Sequence, residues 1–233
     1  IFSDAGRPGD RVGGQISWGA SGGSMEDPLF HRARVPQDPG DAMNVLSIEC
    51  SCQHGSLAVL NDGAVVESWE FESPRGRGSE LFAHLESALG GKRLPDRVVV
   101  GTGPGSYNGL RTSIAAAWGI ARASGAQIAG VSSLLGYDAP EYFVAGDARA
   151  GQWFLAHVAN GKFLLPPALY LPPEARGNLR PGIPVFATSA LEDLPEAVVA
   201  PPRAAILAVR DSFAGVPAPV YLKPPHITKP AAR

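Results

Sequence analysis

A β-branched run, Val98 to Val100, stops at the glycine loop Gly101-Thr-Gly-Pro-Gly-Ser-Tyr-Asn-Gly109, and an alanine-rich periodic segment follows from Leu110 to Arg122. Consecutive valines suit a buried strand and the later period suits a helix, so the stretch reads as strand, tight loop, helix. Gly101, Gly103, Gly105 and Gly109 allow positive φ, Pro104 fixes one turn among them, and Ser106 or Asn108 is placed to cap the helix. Such a junction carries free N–H groups and a positive dipole end, the ingredients of an anion site.

Upstream, residues 1–42 mix Gly, Pro, Ser, Asp and Arg without helical or strand period and without an initiator Met. They are expected to be disordered or extraneous, with the folded unit starting at Met43. From there Val45 to Cys50, Ser56 to Leu60 and Val65 to Phe71 read as strands, with Asn61-Asp-Gly63 as a hairpin turn. Gly78 to Leu89 places Leu81, Phe82, Leu85 and Ala88 at helical spacing before Gly90-Gly91. Adding Gln127 to Val131 gives the order β-β-β-α-β-α-β. A dinucleotide-binding repeat does not begin with three consecutive antiparallel strands.

Beyond Val131 the pattern restarts, with strands at Tyr142 to Gly146, Gln152 to Val158 and Lys162 to Leu165. Residues 166–203 are proline-rich, and only Val185 to Ala187 reads as strand there. Ala204 to Phe213 reads as a last helix and Pro219 to Lys223 as an extended end. These patterns divide the chain into an N-terminal lobe, 43–136, and a reduced second lobe, 137–233.

A net charge of −2 supplies no basic field, so the chain is not expected to hold nucleic acid alone by counterion release. Two cysteines, Cys50 and Cys52, are too close in sequence to staple a fold and suit a reducing, cytoplasmic compartment. No apolar run is long enough to span a membrane.

Catalytic patterns are sparse. The loop lacks the Gly-Lys-Ser/Thr ending of a P-loop, and Ser106 stands where a dinucleotide fingerprint needs its third glycine. His31, His54, His84, His157 and His226 never fall within one helical turn of each other, so no helical metal pair exists. A Gly-x-Ser-x-Gly elbow is missing. Cys50, Cys52 and His54 alternate at strand period, but reduced thiols beside a turn histidine describe them better than a metal site. His84, among Leu81, Phe82 and Leu85, reads as a helix-surface residue. No catalytic or metal-binding residue is assigned.

Helix 109–124 is apolar almost all round: Leu110, Ile114, Ala117, Trp118 and Ala121 form one face, while Ala115, Ala116, Gly119 and Ile120 occupy others. A helix of that kind is covered on two sides, either by the chain's own second lobe and first helix or by a partner.

Gly103-Pro-Gly-Ser-Tyr-Asn-Gly-Leu-Arg111 resembles the Gly-Pro-Gly-Ser-Phe-Thr-Gly-(Leu/Val)-Arg signature of the TsaB (YeaZ-like) family, glycoprotease-like proteins of the actin-like ATPase superfamily. Leu46-Ser-Ile-Glu-Cys-Ser51, Gly130-Val-Ser-Ser-Leu134, Asp147-Ala-Arg149 and Pro219-Val-Tyr-Leu-Lys223 match in the same order, so the resemblance spans Met43 to about Lys223. It implies an α/β, actin-like (ribonuclease H-like) fold with a complete first lobe. It also implies a non-catalytic scaffold for TsaD, the transferase that makes N6-threonylcarbamoyladenosine on tRNA, in a complex completed by the ATPase TsaE.

On that reading this chain requires no cofactor itself, ATP and magnesium belong to the complex, and tRNA is met only through it. Homodimerisation through the same helices is the other pairing implied. Glu49, Gly103, Gly105, Ser106, Gly109 and Arg111 correspond to a degenerate nucleotide loop. Phe82, Leu85, Leu110, Ile114, Ala115, Ala116, Trp118 and Gly119 are the expected partner surface. The family carries Asp where this chain has Glu49, and the extra methylene is expected to push the carboxylate deeper into the interlobe cleft. Two other readings are kept: a nucleotide-dependent transferase or kinase using Glu49 and the loop, and a peptidase, which the missing metal histidines disfavour.

Overall fold

The computed structural model describes residues 42–72, 79–210 and 215–223. The expectation for 1–42 therefore lies outside the described residues except at Ala42, as do His31 and His226.

Strands β1 (Asn44–Glu49), β2 (His54–Asn61) and β3 (Ala64–Glu72) form an antiparallel meander. Asp62 and Gly63 close its second hairpin at φ of 49° and 78°, the left-handed backbone that a two-residue turn between right-twisted strands requires. Helix α1 (Ser79–Leu89), β4 (Arg97–Gly101), α2 (Tyr107–Ser124) and β5 (Gln127–Val131) follow, with β4 parallel to both β1 and β5. The sheet runs β3-β2-β1-β4-β5. The expected β-β-β-α-β-α-β order is the order found.

A 3-10 turn, Ser133–Leu135, leads to β6 (Glu141–Asp147), β7 (Trp153–Ala159), β8 (Lys162–Tyr170), α3 (Pro172–Asn178), β9 (Val185–Ala187), β10 (Val198–Val199) and α4 (Ala204–Val209). The second sheet runs β10-β9-β6-β7-β8. It repeats the first plan: a three-strand meander, then strands added parallel to its first member. The fold is the duplicated α/β architecture expected.

Alternation along β1 divides the core. Leu46, Ile48 and Cys50 face α1 and α2, together with Leu57, Val98, Val100, Leu110, Ile114 and Ala117. Val45 faces the other way, with Val99, Tyr142, Val144, Phe154 and Leu207 in a cluster that joins both sheets. Each large side chain fully removed from water there contributes roughly 1.5–3 kcal/mol.

Three sequence expectations need correction. The proline-rich span is more regular than its composition suggests. Strand β8 continues through Pro166 and Pro167 to Tyr170, tolerated because it is an edge strand and the two prolines sit at an irregularity of its ladder with β7, where neither has a register partner. Helix α3 opens on Pro172 and Pro173, in the first turn where the N–H has no helical partner anyway. The second lobe is reduced in its helices and in the short β9 and β10, while its sheet keeps five strands. The last helix ends at Val209, before the expected Phe213.

Although each sheet falls within one expected lobe, the C-terminal residues return to the first. The Ser56 hydroxyl accepts the Ala204 N–H at 2.8 Å, Gly215 exchanges backbone bonds with Gly130, and the Val220 N–H donates to Thr102 O at 2.8 Å.

Candidate functional site

The glycine loop leaves β4 and enters α2 against the turn that follows β1. Ser106 is the cap: its Oγ accepts the Gly109 N–H, so α2 begins at Tyr107 rather than Gly109. The glycines serve a different purpose from the one expected. Only Gly103 among the four holds a positive φ, 91°. At Gly105 a Cβ would stand 2.0 Å from the Ser51 carbonyl oxygen, and at Gly109 2.1 Å from that of Cys50. These two are glycine because the β1–β2 turn presses against them.

That contact takes up part of the loop's hydrogen-bonding capacity. The Ser106 N–H donates to Ser51 O at 2.6 Å, Gly103 N–H to Ser133 Oγ at 2.9 Å, and Thr102 N–H to Val131 O at 2.9 Å. Gly109 and Leu110 donate to Ser106. Carbonyl oxygens of Cys50 and Ser51 thus line the loop at Gly109 and Gly105, where acceptors weaken its pull on a phosphate. Arg111 turns away, its guanidinium donating to the Tyr107 hydroxyl and lying 5.1 Å from that ring's centre.

Glu49 also departs from expectation, because its carboxylate does not enter the cleft. The side chain is fully buried. Its Oε1 accepts the Ser51 N–H, while Oε2 lies without a hydrogen-bond partner. A Cβ on Gly101 would fall 1.8 Å from Oε2, so the extra methylene is housed in the space left by that glycine. Burial raises the Glu49 pKa, and the Ser133 and Ser51 hydroxyls and the Ser51 N–H only partly offset it. A carboxyl shielded from solvent in this way is out of reach of a substrate. Ser133 and Ser51, its neighbours, lie within the matched motifs at 46–51 and 130–134, but nothing in the sequence tied them to Glu49.

The expected partner surface divides in two. Leu85, Leu110 and Ile114 are buried in the chain's own core, because positions 110, 113, 114, 117 and 121 form the stripe of α2 that faces the sheet. They leave a partner little surface to touch in the folded chain. On the opposite side Ala115, Trp118 and Gly119 are exposed and Ala116 is half-buried. Phe82, 53% exposed, projects from α1, whose own inner stripe is Leu81, Leu85 and Ala88. A Cβ on Gly119 would meet nothing within 4 Å.

Elsewhere, Cys50 and Cys52 are buried free thiols, and Cys52 Sγ donates to His54 O at 3.0 Å. Desolvation, with the nearby Glu49 charge, pushes the Cys52 thiol up to about 12 and Cys50 higher still. His84 is half-buried and stacked on Phe71 at 5.1 Å. Among the described residues no three His, Cys, Asp or Glu side chains are grouped to hold a metal ion. Nor, among them, is any helix long and apolar enough to cross a membrane. A cleft of about 600 Å³ lies where Gln53, His54 and Glu70 to Glu72 face Thr188 to Ala190 and Val199 to Pro201. Its rim carboxylates disfavour an anionic ligand.

The chain is 30% identical over 190 residues to an uncharacterized protein of Mycobacterium tuberculosis, covering 76% of this chain and 84% of that one. It is 30% identical over 126 residues to the tRNA threonylcarbamoyladenosine biosynthesis protein TsaB of Escherichia coli, covering 49% of this chain and 54% of that one. The chain belongs to the TsaB/YeaZ-like family. Residues 84–156, from α1 into β7, match the family described as TsaD, tRNA N6-adenosine threonylcarbamoyltransferase. The fold agrees with two crystal structures from Pseudomonas aeruginosa. YeaZ has a TM-score of 0.59 at 24% identity, covering 77% of this chain and all of that one. A protein with similarity to peptidase YeaZ has a TM-score of 0.62 at 23% identity, covering 78% of this chain and all of that one.

Proposed function

We propose that this TsaB/YeaZ-like chain takes part in forming N6-threonylcarbamoyladenosine on tRNA as a non-catalytic partner of a TsaD transferase. The observation that carries the partner role is the outer face of α2. Ala115, Ala116 and Gly119 form a smooth strip between turns, with Trp118 exposed beside it and Phe82 exposed on α1. Small side chains let a second helix approach closely, and the flanking aromatics supply the apolar area an interface core requires. The other two expected sites support a passive role. The glycine loop is lined by carbonyls of the chain's own β1–β2 turn, and the Glu49 carboxyl is buried. A transferase or peptidase role would need a reactive group reachable by substrate, and neither place offers one.

Pairing within the complex has TsaE as its third member, and this chain meets tRNA there rather than through a basic field of its own. Homodimerisation through the same face would compete with the heterodimer.

The test is Gly119→Arg. The site has room for the side chain, and arginine is about 0.8–1 kcal/mol better than glycine inside a helix, so the monomer is expected to melt at least as high as wild type. The bulky cation blocks close helix approach, so co-purification with the TsaD of the same organism is expected to be lost. Ala115→Asp is expected to act likewise, with its circular dichroism unchanged. Tight pairing by both folded variants would place the interface elsewhere.

A further inference from the structure

Beside the glycine loop, two tyrosines form an exposed stack. Tyr107, the first residue of α2, is 45% exposed, and Tyr221 is 41% exposed. Their ring centres are 5.2 Å apart with planes 30° from parallel. Tyr221 is fixed there by the adjacent Val220 N–H bond to Thr102 O. Arg111 covers Tyr107, its guanidinium carbon 5.1 Å from the ring centre. Two residues past Tyr221, the Lys223 ammonium donates to Arg149 O at 2.7 Å, which brings a second and a third cation to the same edge. Asp147, 3.5 Å from the Arg149 guanidinium, offsets only part of that charge.

We infer that this edge is a stacking platform for an unpaired nucleotide of an RNA strand, with a base on the open face of Tyr221, which Tyr107 backs, and the adjoining phosphates facing Lys223 and Arg149. The chemistry recognised is a flat aromatic ring joined to an anion. A duplex hides its base faces in its own stack, so only single-stranded or looped RNA presents them. A free mononucleotide shares the chemistry but gains one stacking contact of about 1–3 kcal/mol on an open surface, short of the roughly 4 kcal/mol that even millimolar binding needs. A strand adds contacts to the neighbouring cations. The choice of RNA rests on the tRNA-modification reading above, whereas the stacking surface stands on the geometry. The overall charge of −2 makes the contact a local one that adds to a complex.

The experiment uses the full chain and a ten-nucleotide oligoadenylate carrying one 5-iodouridine, in low salt. Photocrosslinking is expected at Tyr221 or Tyr107, competed by unlabelled oligoadenylate and not by duplex RNA. Tyr221→Ala is expected to lower binding at least fivefold, and Tyr221→Phe, which keeps the ring face, to stay within twofold of wild type. Lys223→Met is expected to flatten the salt dependence by about 0.7 in slope, the value for one single-strand phosphate contact. Both tyrosine variants are checked by thermal melting. A wild-type chain that crosslinks at neither tyrosine, a folded Tyr221→Ala that binds as wild type, or competition by adenosine monophosphate equal to that of the decamer would each overturn the inference. Co-purification with TsaD reads the Ala115–Gly119 stretch of α2, about two turns along the helix from Tyr107. Loss of RNA contact with pairing intact therefore refutes the platform alone, and loss of pairing with crosslinking intact refutes only the partner role.

Discussion

The buried Glu49 carboxyl predicts a pH dependence of stability that a surface or cleft carboxylate would not show. Its folded pKa is raised above the ordinary 4.5 by burial, the largest cause, against weaker support from Ser133 and Ser51. In the unfolded chain the group ionises near its ordinary value. Above that pH the unfolded state gives up a proton that the folded state keeps, so the contribution is fully present below 4.5 and is lost as pH rises through the folded pKa. Within that window the stability falls by about 1.4 kcal/mol per pH unit. For a protein of this size that is about 3–6 °C of melting temperature per unit. Glu49→Gln keeps an oxygen for the Ser51 N–H but cannot ionise. The assay is the melting temperature of wild type minus that of Glu49→Gln, followed upward from pH 4.5 by circular dichroism. The difference is expected to move steadily in the variant's favour and then level off, and the levelling point reads the folded pKa. Parallel curves from pH 5 to 8 would mean that the carboxylate is ionised and solvated, and would refute the burial argument.

The two kinds of glycine separate cleanly in a second comparison. Gly105→Ala drives a methyl into Ser51 O, expected to cost about 3 kcal/mol or to abolish folding, while Gly119→Ala, with nothing within 4 Å, is expected to stabilise by about 1 kcal/mol; urea melts read both. Ser106→Ala removes the α2 cap and is expected to cost about 1 kcal/mol by the same measurement. With its thiol pushed up to about 12, Cys52 is expected to resist iodoacetamide at pH 8 until urea unfolds the chain; alkylation of folded protein within minutes would contradict its burial.

Much of the architecture was legible because local and global signals agree. The valines at 98–100, the Asn61-Asp-Gly63 turn and the helical spacing in α2 each name one conformation and together fix the first sheet's plan, while the restart of strand patterns at Tyr142, Gln152 and Lys162 signals the second. Where prolines suggested irregularity, β8 used a break in its ladder with β7 and α3 used its first turn, a distinction set by tertiary neighbours. The site was legible only as a loop. Glycines required for close approach look the same in sequence as those required for positive φ, and only the position of the Cys50 and Ser51 carbonyls tells them apart. Burial of Glu49 depends on Gly101, 52 positions away, and on Ser133 beyond it. The all-round apolar pattern of α2 hid the division between core positions such as Leu110 and open ones such as Gly119.

The most direct test of the account is reconstitution with the TsaD and TsaE of the same organism, ATP, threonine-derived donor and unmodified tRNA, with threonylcarbamoyladenosine measured by mass spectrometry. Modification is expected to require this chain, to be supported fully by Glu49→Gln, and to fail with Gly119→Arg. Full modification without the chain, or loss of activity in a folded Glu49→Gln protein, would contradict a non-catalytic partner acting through the α2 face.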